Sequence, residues 1–230
     1  MKKLGLIGGT GPESTVPYYR GVVYGVYERT GCFPNLTIES VSVFDVLDFC
    51  RRKDYGRLLD YLATAVKALA AAGAECAALT GNTPHIVFPQ LQARSPIPLV
   101  SMVEAACREA ERRGLKKLGL LGTAFTMEEP FFKTPFLDRG IGIVIPSPEE
   151  RCLIDGTISR ELELGIVTPE AQKGFDAILR RLREEENIEA AVLGCTELPM
   201  LYQNRLSPVP LLDTMEVHIR ALIDEITKSC

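Results

Sequence analysis

Cys195 stands in the turn Gly194-Cys195-Thr196-Glu197, directly after the apolar run AAVL. A thiol where a strand gives way to a helix meets free backbone N–H groups and the positive end of a helix dipole. Both favour the thiolate, so the sequence predicts a lowered pKa and a sulfur able to act as base or nucleophile. A second turn resembles it: Gly81-Asn82-Thr83 follows the run CAALT and precedes Pro84. Asn82, Thr83 and Thr196 bring hydroxyls, an amide and backbone donors that suit a carboxylate, although plain N-caps use the same residue types. Thr10 and Thr123, at the ends of two other apolar runs, are candidates of the same kind.

These turns are copies of each other. KLGLIGG at Lys3–Gly9 matches KLGLLGT at Lys117–Thr123, an offset of 117 − 3 = 114. GAECAALTGNT from Gly73 aligns with NIEAAVLGCTE from Asn187 at the same offset, which pairs Gly81 with Cys195. SPIPLVSMVE from Ser95 returns as SPVPLLDTME from Ser207, at an offset of 112. Three matches in one order indicate a duplicated α/β unit.

Each copy reads as strand and helix in alternation. The short, glycine-bounded runs LGLIGG, LTIESVSVF, CAALT, LGLLGT, IGIVIPS and AAVLG predict strands buried on both faces. Amphipathic patterns predict helices over 13–27, 56–72, 103–113, 169–185 and 214–228. The expected fold class is α/β: two pseudo-symmetric, Rossmann-like or flavodoxin-like lobes with parallel sheets. The first lobe would take residues 1–99 with the C-terminal helix in 210–230, and the second 100–209. Ligands of open parallel sheets gather beyond the strands' carboxyl ends, where all these turns fall. A cleft between the lobes is therefore expected, with Gly81 and Cys195 on opposite sides of one bound molecule.

Composition removes several classes. A formal charge of −4, with both signs mixed along the chain, gives no nucleic-acid surface. Seven cysteines without CxxC spacing fit a reducing compartment better than a disulfide framework or zinc site; apart from Cys195 they are expected in strands or helices as small core residues. No signal peptide or membrane span is expected, which makes the expected location cytoplasmic. GGTGPEST departs from a dinucleotide fingerprint, because Ser14 replaces the third glycine and no acid closes the second strand. His85 and His218 are too few for a histidine metal site and are expected to be structural.

The combination of GLIGGTGPEST, PYY, NTPH, LLGTAFTM, GCTELP and LLDTMEVH resembles the aspartate/glutamate racemase family along essentially the whole chain. The resemblance implies a cofactor-independent, metal-free isomerase, two α/β lobes and a homodimer. Its substrate would be a small amino acid or dicarboxylate, and two thiols would exchange the α-proton from opposite faces. Carried over, Cys195 is the second-lobe acid/base, Asn82, Thr83 and Thr196 hold the α-carboxylate, and Thr10 lines the first-lobe wall. Arg51, expected in a loop after the second strand, would meet a side-chain carboxylate. The departure is Gly81, where the family's first-lobe cysteine is missing. Three accounts follow: an impaired or one-sided racemase with a water relay, a one-base decarboxylase of a small carboxylate, or a non-catalytic binder of a small acid.

Overall fold

The computed structural model describes residues 1–228, apart from the side chains of residues 12 and 13. The chain divides into two compact units, Met1–Ala105 with the C-terminal helix from Met215 onward, and Ala106–Thr214.

The first unit runs β1 (Leu4–Gly8), α1 (Pro12–Thr30), β2 (Leu36–Ser40), α2 (Val43–Arg51), α3 (Tyr55–Ala71), β3 (Cys76–Leu79), a 3₁₀ turn (Thr83–Val87), α4 (Phe88–Arg94), β4 (Leu99–Val100) and the start of α5 (Met102–Arg112). The second continues with β5 (Lys117–Leu121), α6 (Ala124–Glu128), α7 (Pro130–Leu137), β6 (Gly142–Val144), α8 (Pro148–Arg160), a 3₁₀ turn (Leu162–Leu164), α9 (Pro169–Glu186), β7 (Ala190–Leu193), a 3₁₀ turn (Leu198–Tyr202) and β8 (Leu211–Asp213), before α10 (Thr214–Thr227) returns to the first unit.

Both sheets have four parallel strands in the same order, β2-β1-β3-β4 and β6-β5-β7-β8. The repeat offset carries β3 onto β7 residue for residue, since 76 + 114 = 190 and 79 + 114 = 193. CAAL and AAVL are buried throughout, which is why neither run alternates polar with apolar. Short small-residue strands let helices close over both faces, and Gly119 shows how near they come: a Cβ there would meet Leu182 of α9 at 3.4 Å.

The helices stop where their chemistry says. In α9 the Thr168 hydroxyl accepts the Ala171 N–H at 3.1 Å and Pro169 opens the first turn. Ala171, Phe175, Ile178, Leu179 and Leu182 form its buried face, and Asn187 ends it in the left-handed region. Ser147 and Glu150 form a reciprocal capping box on α8. The core of the first unit includes Leu4, Leu6, Tyr18, Val22, Val26, Cys76 and Ala78, closed by Leu222, Ile223 and Ile226 of α10. Lys2–Glu225 at 2.6 Å and Arg29–Asp224 at 2.7 Å join the edges of that helix to the same unit.

The differences from the sequence expectation are local. LTIESVSVF is a strand only to Ser40; Ser42 accepts the Asp45 N–H and starts α2, so Arg51 lies in the last turn of a helix and not in a loop. The short strands β4 and β8 and the helices α6, α7 and α8 are additional elements. Cys32 is exposed in the turn after α1 and Cys152 is exposed on α8, whereas Cys50, Cys76 and Cys107 are buried; Cys230 lies outside the described residues. No helix of the described residues is long and apolar enough to cross a membrane.

Candidate active site

Each unit gathers one loop cluster at the carboxyl ends of its two central strands. In the first unit β1 and β3 pair in register, Ile7 beside Leu79, so the residues that follow each strand become neighbours. Gly9 has φ 83°, and a Cβ there would lie 2.1 Å from the Val41 carbonyl oxygen; only glycine allows this close turn. It brings Thr10 back over β3, where the Thr10 and Thr80 hydroxyl oxygens lie 3.3 Å apart. Thr80 is fully buried and its hydroxyl donates to the Ile7 carbonyl at 3.2 Å, while Ser14 donates to the Thr80 carbonyl.

Gly81 follows in an ordinary backbone conformation, since its φ lies outside the left-handed region. Glycine is not required there for backbone reasons. A Cβ at position 81 would meet the Thr10 hydroxyl oxygen at 3.2 Å, then Thr10 Cβ at 3.5 Å and Cγ2 at 3.7 Å. The side-chain space at Gly81 is thus bordered by Thr10.

His85 holds this loop from beneath. Its ring is 3 % exposed and stacks on Phe88 at 5.0 Å. Nε2 accepts the Met102 N–H at 3.1 Å, so Nδ1 carries the proton and donates to the Gly81 carbonyl at 2.9 Å. Burial pushes the His85 pKa down to about 4, and the ring is neutral at physiological pH. His218 is likewise fully buried; Nε2 donates to the Val100 carbonyl at 3.0 Å and Nδ1 accepts the Tyr18 hydroxyl at 2.7 Å. The two histidines bind the residues at the end of β4 and the start of α5, a structural role for both.

In the second unit β5 and β7 pair with Leu121 beside Leu193, and the Gly194 N–H donates to the Leu121 carbonyl at 2.6 Å. A Cβ at Gly194 would lie 2.9 Å from both the Leu120 side chain and the Leu121 carbonyl oxygen. Close approach therefore requires this glycine, and Cys195 is presented on the tight turn it permits. The Cys195 thiol donates to Glu197 Oε2 at 2.8 Å, and the Thr196 hydroxyl donates to the same oxygen at 2.9 Å. Glu197 and Thr196 are buried, and Cys195 is half-buried.

This overturns the expectation of a lowered thiol pKa. Burial, then the charge and hydrogen bond of Glu197, then the charge of Glu163, push the Cys195 thiol well above its ordinary range. No α-helix starts at Thr196: the 3₁₀ turn Leu198–Tyr202 has five residues, too few aligned peptide dipoles to outweigh an adjacent carboxylate. The neighbourhood is acidic beyond Glu197. The Glu163 pKa is raised by partial burial of its carboxyl and then by the charges of Glu197 and Asp155. Asp155 is anchored by the Ala124 N–H at 2.7 Å.

The other candidates fall as follows. Thr123 caps α6, accepting the Thr126 N–H at 3.3 Å. Asn82 is buried at the N-terminus of a five-residue 3₁₀ turn, its carbonyl accepting the His85 N–H at 2.9 Å, and Thr83 opens that turn half-buried. Arg51 is exposed and paired with Asp48. Thr10, Thr80 and Gly81 are brought together in one unit, and Cys195, Thr196 and Glu197 in the other. Thr80, Glu197, Asp155 and Glu163 had no role in the sequence expectation. Glu197 was readable as a carboxylate two residues beyond a thiol in a tight turn. Asp155 had only an indirect signal, the Ser-Pro-Glu-Glu start of α8.

Known proteins match this chain in sequence and fold. The family model Asp/Glu/Hydantoin racemase matches residues 7–222. The chain is 22% identical over 218 residues to the broad specificity amino-acid racemase RacX of Bacillus subtilis, covering 92% of each. An aspartate racemase homologue from Pyrococcus horikoshii superposes with a TM-score of 0.85 at 35% identity, covering 99% of this chain and 100% of the other. A candidate Asp/Glu racemase from Yersinia pestis gives 0.90 at 30% identity, covering 98% and 99%. With a family match across both units and relatives aligned over nearly their full lengths, the chain belongs to the Asp/Glu/hydantoin racemase family.

Proposed function

We propose that the protein is a cofactor-independent racemase of a small amino acid, in which Cys195 is the one thiol acid/base and Gly81 stands at the repeat position where a second cysteine is missing. The observation that carries this reading is a thiol hydrogen-bonded to a buried carboxylate, at the end of a central strand, in a chain of the racemase family.

Cys195 rests as a thiol and becomes a base when its proton passes along the 2.8 Å hydrogen bond to Glu197. An incoming α-ammonium group favours that transfer, because its positive charge stabilises the thiolate against the surrounding carboxylates. The thiolate then removes the α-proton. Backbone donors of the Cys195-Thr196 turn hold the α-carboxylate as charge spreads into it, and Asn82 and Thr83 are donors of the same kind in the first unit. The Thr196 hydroxyl already donates to Glu197, so its part is to position that base. Enantiomers have equal free energies, and kcat/KM is therefore the same in both directions. One-sidedness resides in which enantiomer presents its α-hydrogen to the sulfur.

A homodimer belongs to the same reading. It is supported by Val16, Tyr19, Tyr24, Tyr27 and Phe33, which are exposed on α1 and the turn after it, and light scattering tests it. The catalytic test is proton NMR in heavy water with both enantiomers of aspartate, glutamate, alanine and lysine. The expected result is loss of the α-proton signal together with inversion for at least one pair. No exchange on any of them, with carbon dioxide released from a substituted malonate, would replace racemisation by one-base decarboxylation.

A further inference from the structure

The segment that carries Cys195 is tied down at its far end by a polar cluster with no part in the proton transfer. Asp176 lies in the middle of α9 and is 5 % exposed. One of its carboxylate oxygens accepts the Tyr202 hydroxyl at 3.4 Å; the other accepts the Arg205 guanidinium and has Arg180 at 3.6 Å. The Arg205 guanidinium also lies over the Tyr202 ring, 5.4 Å from its centre. One turn earlier on the helix, Gln172 donates to the Leu201 carbonyl at 3.2 Å. Leu201, Tyr202 and Arg205 are thereby fixed to α9 at the end of the 3₁₀ turn Leu198–Tyr202. At the start of that turn the Leu198 N–H donates to the Cys195 carbonyl at 3.3 Å and the Met200 N–H to the Glu197 carbonyl at 3.1 Å. A hold on the turn's end is therefore passed to the thiol and its carboxylate.

The other copy of the repeat closes the same place without polar groups. At the offset of 114, α3 maps onto α9, since 55 + 114 = 169, and Leu62 takes the position of Asp176, since 176 − 114 = 62. Phe88 likewise stands where Tyr202 does, since 202 − 114 = 88. Leu62 is fully buried, so a leucine suffices to pack this helix. Asp176 is the costlier solution. Arg205 Nη1 is buried with no acceptor among the described residues, and a buried ion pair recovers its desolvation cost only when its hydrogen bonds are complete. What the pair adds over leucine is direction, because hydrogen bonds fix the angle and register of the turn and apolar contact does not.

We propose that Asp176, acting through Arg205 and Tyr202, is a positioning residue that sets Glu197 against the Cys195 thiol. This rests on the reading that the thiol is the acid/base of the reaction. One Glu197 oxygen accepts both the thiol at 2.8 Å and the Thr196 hydroxyl at 2.9 Å, an arrangement that a small rotation of the turn would break. The charges that raise the thiol are those of Glu197 and Glu163, so Asp176 acts through the backbone it holds. The same helix steadies the other carboxylate: at its N-cap the Thr168 hydroxyl donates to Glu161 at 2.8 Å, and Glu161 opens the 3₁₀ turn that carries Glu163. Thus α9 is the frame for both turns whose carboxylates act on the sulfur.

Iodoacetamide labelling of Cys195, located by peptide mass spectrometry and followed from neutral to alkaline pH, tests this without any substrate. Asp176→Leu with Arg205→Met adopts the apolar solution of the first unit. It removes equal and opposite charges, so a change at the thiol reports position and not net charge. The urea midpoint is expected at or above the wild-type value. The labelling curve is expected to move to lower pH by about one unit or more, as Glu197 moves off and water reaches the sulfur. Exchange of the α-hydrogen should fall by about 10- to 100-fold, in kcat and not in KM. A purely structural role predicts the wild-type labelling curve, and that result overturns the proposal. Should the double variant fail to fold, Tyr202→Phe decides, since it removes a single uncharged donor. A smaller shift in the same direction is expected, and no shift would sink the assignment. A wild type that exchanges no α-hydrogen on any amino acid would remove the racemase reading, while the labelling curves would still decide what Asp176 positions.

Discussion

The loops after β3 and β7 occupy matching positions in the two copies of the repeat and differ in side chain and charge. In the first, Thr80-Gly81 carries a hydroxyl and then no side chain; in the second, Gly194-Cys195 carries no side chain and then a thiol. The two glycines differ in kind. Gly194 is demanded by packing, with the Leu121 carbonyl 2.9 Å from any Cβ, whereas Gly81 adopts an ordinary backbone and is merely bordered by Thr10. The supports differ too. A neutral histidine holds the first loop, and carboxylates surround the second. Duplication has supplied the geometry twice, and divergence has supplied the charge once.

The largest effect should come from deleting the charged loop's sulfur. Cys195→Ala is expected to lower both α-hydrogen exchange and racemisation by about 10³-fold or more, followed by NMR in heavy water. Retained exchange would show that the proton leaves by another route. The next effect concerns the carboxylate. Glu197→Gln is expected to cost about 10²-fold in exchange by removing the thiol's proton acceptor. The same change should move iodoacetamide labelling of Cys195 to lower pH, because the neighbouring negative charge that raises its pKa is gone. Slower labelling at every pH would mean that Glu197 exposes the sulfur rather than tuning it.

Much of this contrast could be read before any coordinates. The offset of 114 placed Gly81 opposite Cys195 in the repeat, and the buried runs CAAL and AAVL marked the strands that position them. What could not be read was set by neighbours distant in sequence. The Cys195 pKa depends in part on Glu163, which lies on a 3₁₀ turn that the periodicity did not disclose. Thr10 gains its meaning from β1 lying in register with β3, a pairing across about 70 residues. Arg51 looked like a loop cation because VSVF reads as a strand, and the Ser42 cap that turns it into a helix is a single weak signal.

Acid sharpens the comparison from the other side, through His85. Its folded pKa of about 4 lies below the ordinary 6.5, so below pH 6.5 the unfolded chain binds a proton that the folded chain refuses. Stability from this group is complete above pH 6.5 and is lost as pH falls toward 4, a span of 2.5 units or about 3 kcal/mol. Urea midpoints at pH 7 and pH 4.5 measure it. His85→Gln, neutral at both, is expected to be less stable at pH 7 but with a flatter loss on acidification. An equally steep loss in the variant would assign the acid sensitivity to other groups.

The smallest effect is expected at Arg51. It is exposed and shares Asp48 with Arg52, an arrangement that contributes about 0–1 kcal/mol to stability, so Arg51→Ala should leave the urea midpoint almost unchanged. Its proposed contact with a side-chain carboxylate makes a different claim. Exchanging Asp48 for a substrate carboxylate trades one surface ion pair for another, and the net gain is of the same order, worth about fivefold in KM at 1 kcal/mol. Uniform binding of this kind acts on KM and not on kcat. The informative quantity is then the ratio of KM for aspartate to KM for alanine, compared between wild type and Arg51→Ala. A rise for aspartate alone places a cation of the first unit at the substrate's side chain. Equal KM changes for both amino acids would return Arg51 to the surface, and would leave the acidic ring around Cys195 as the stronger influence on which side chain the protein accepts.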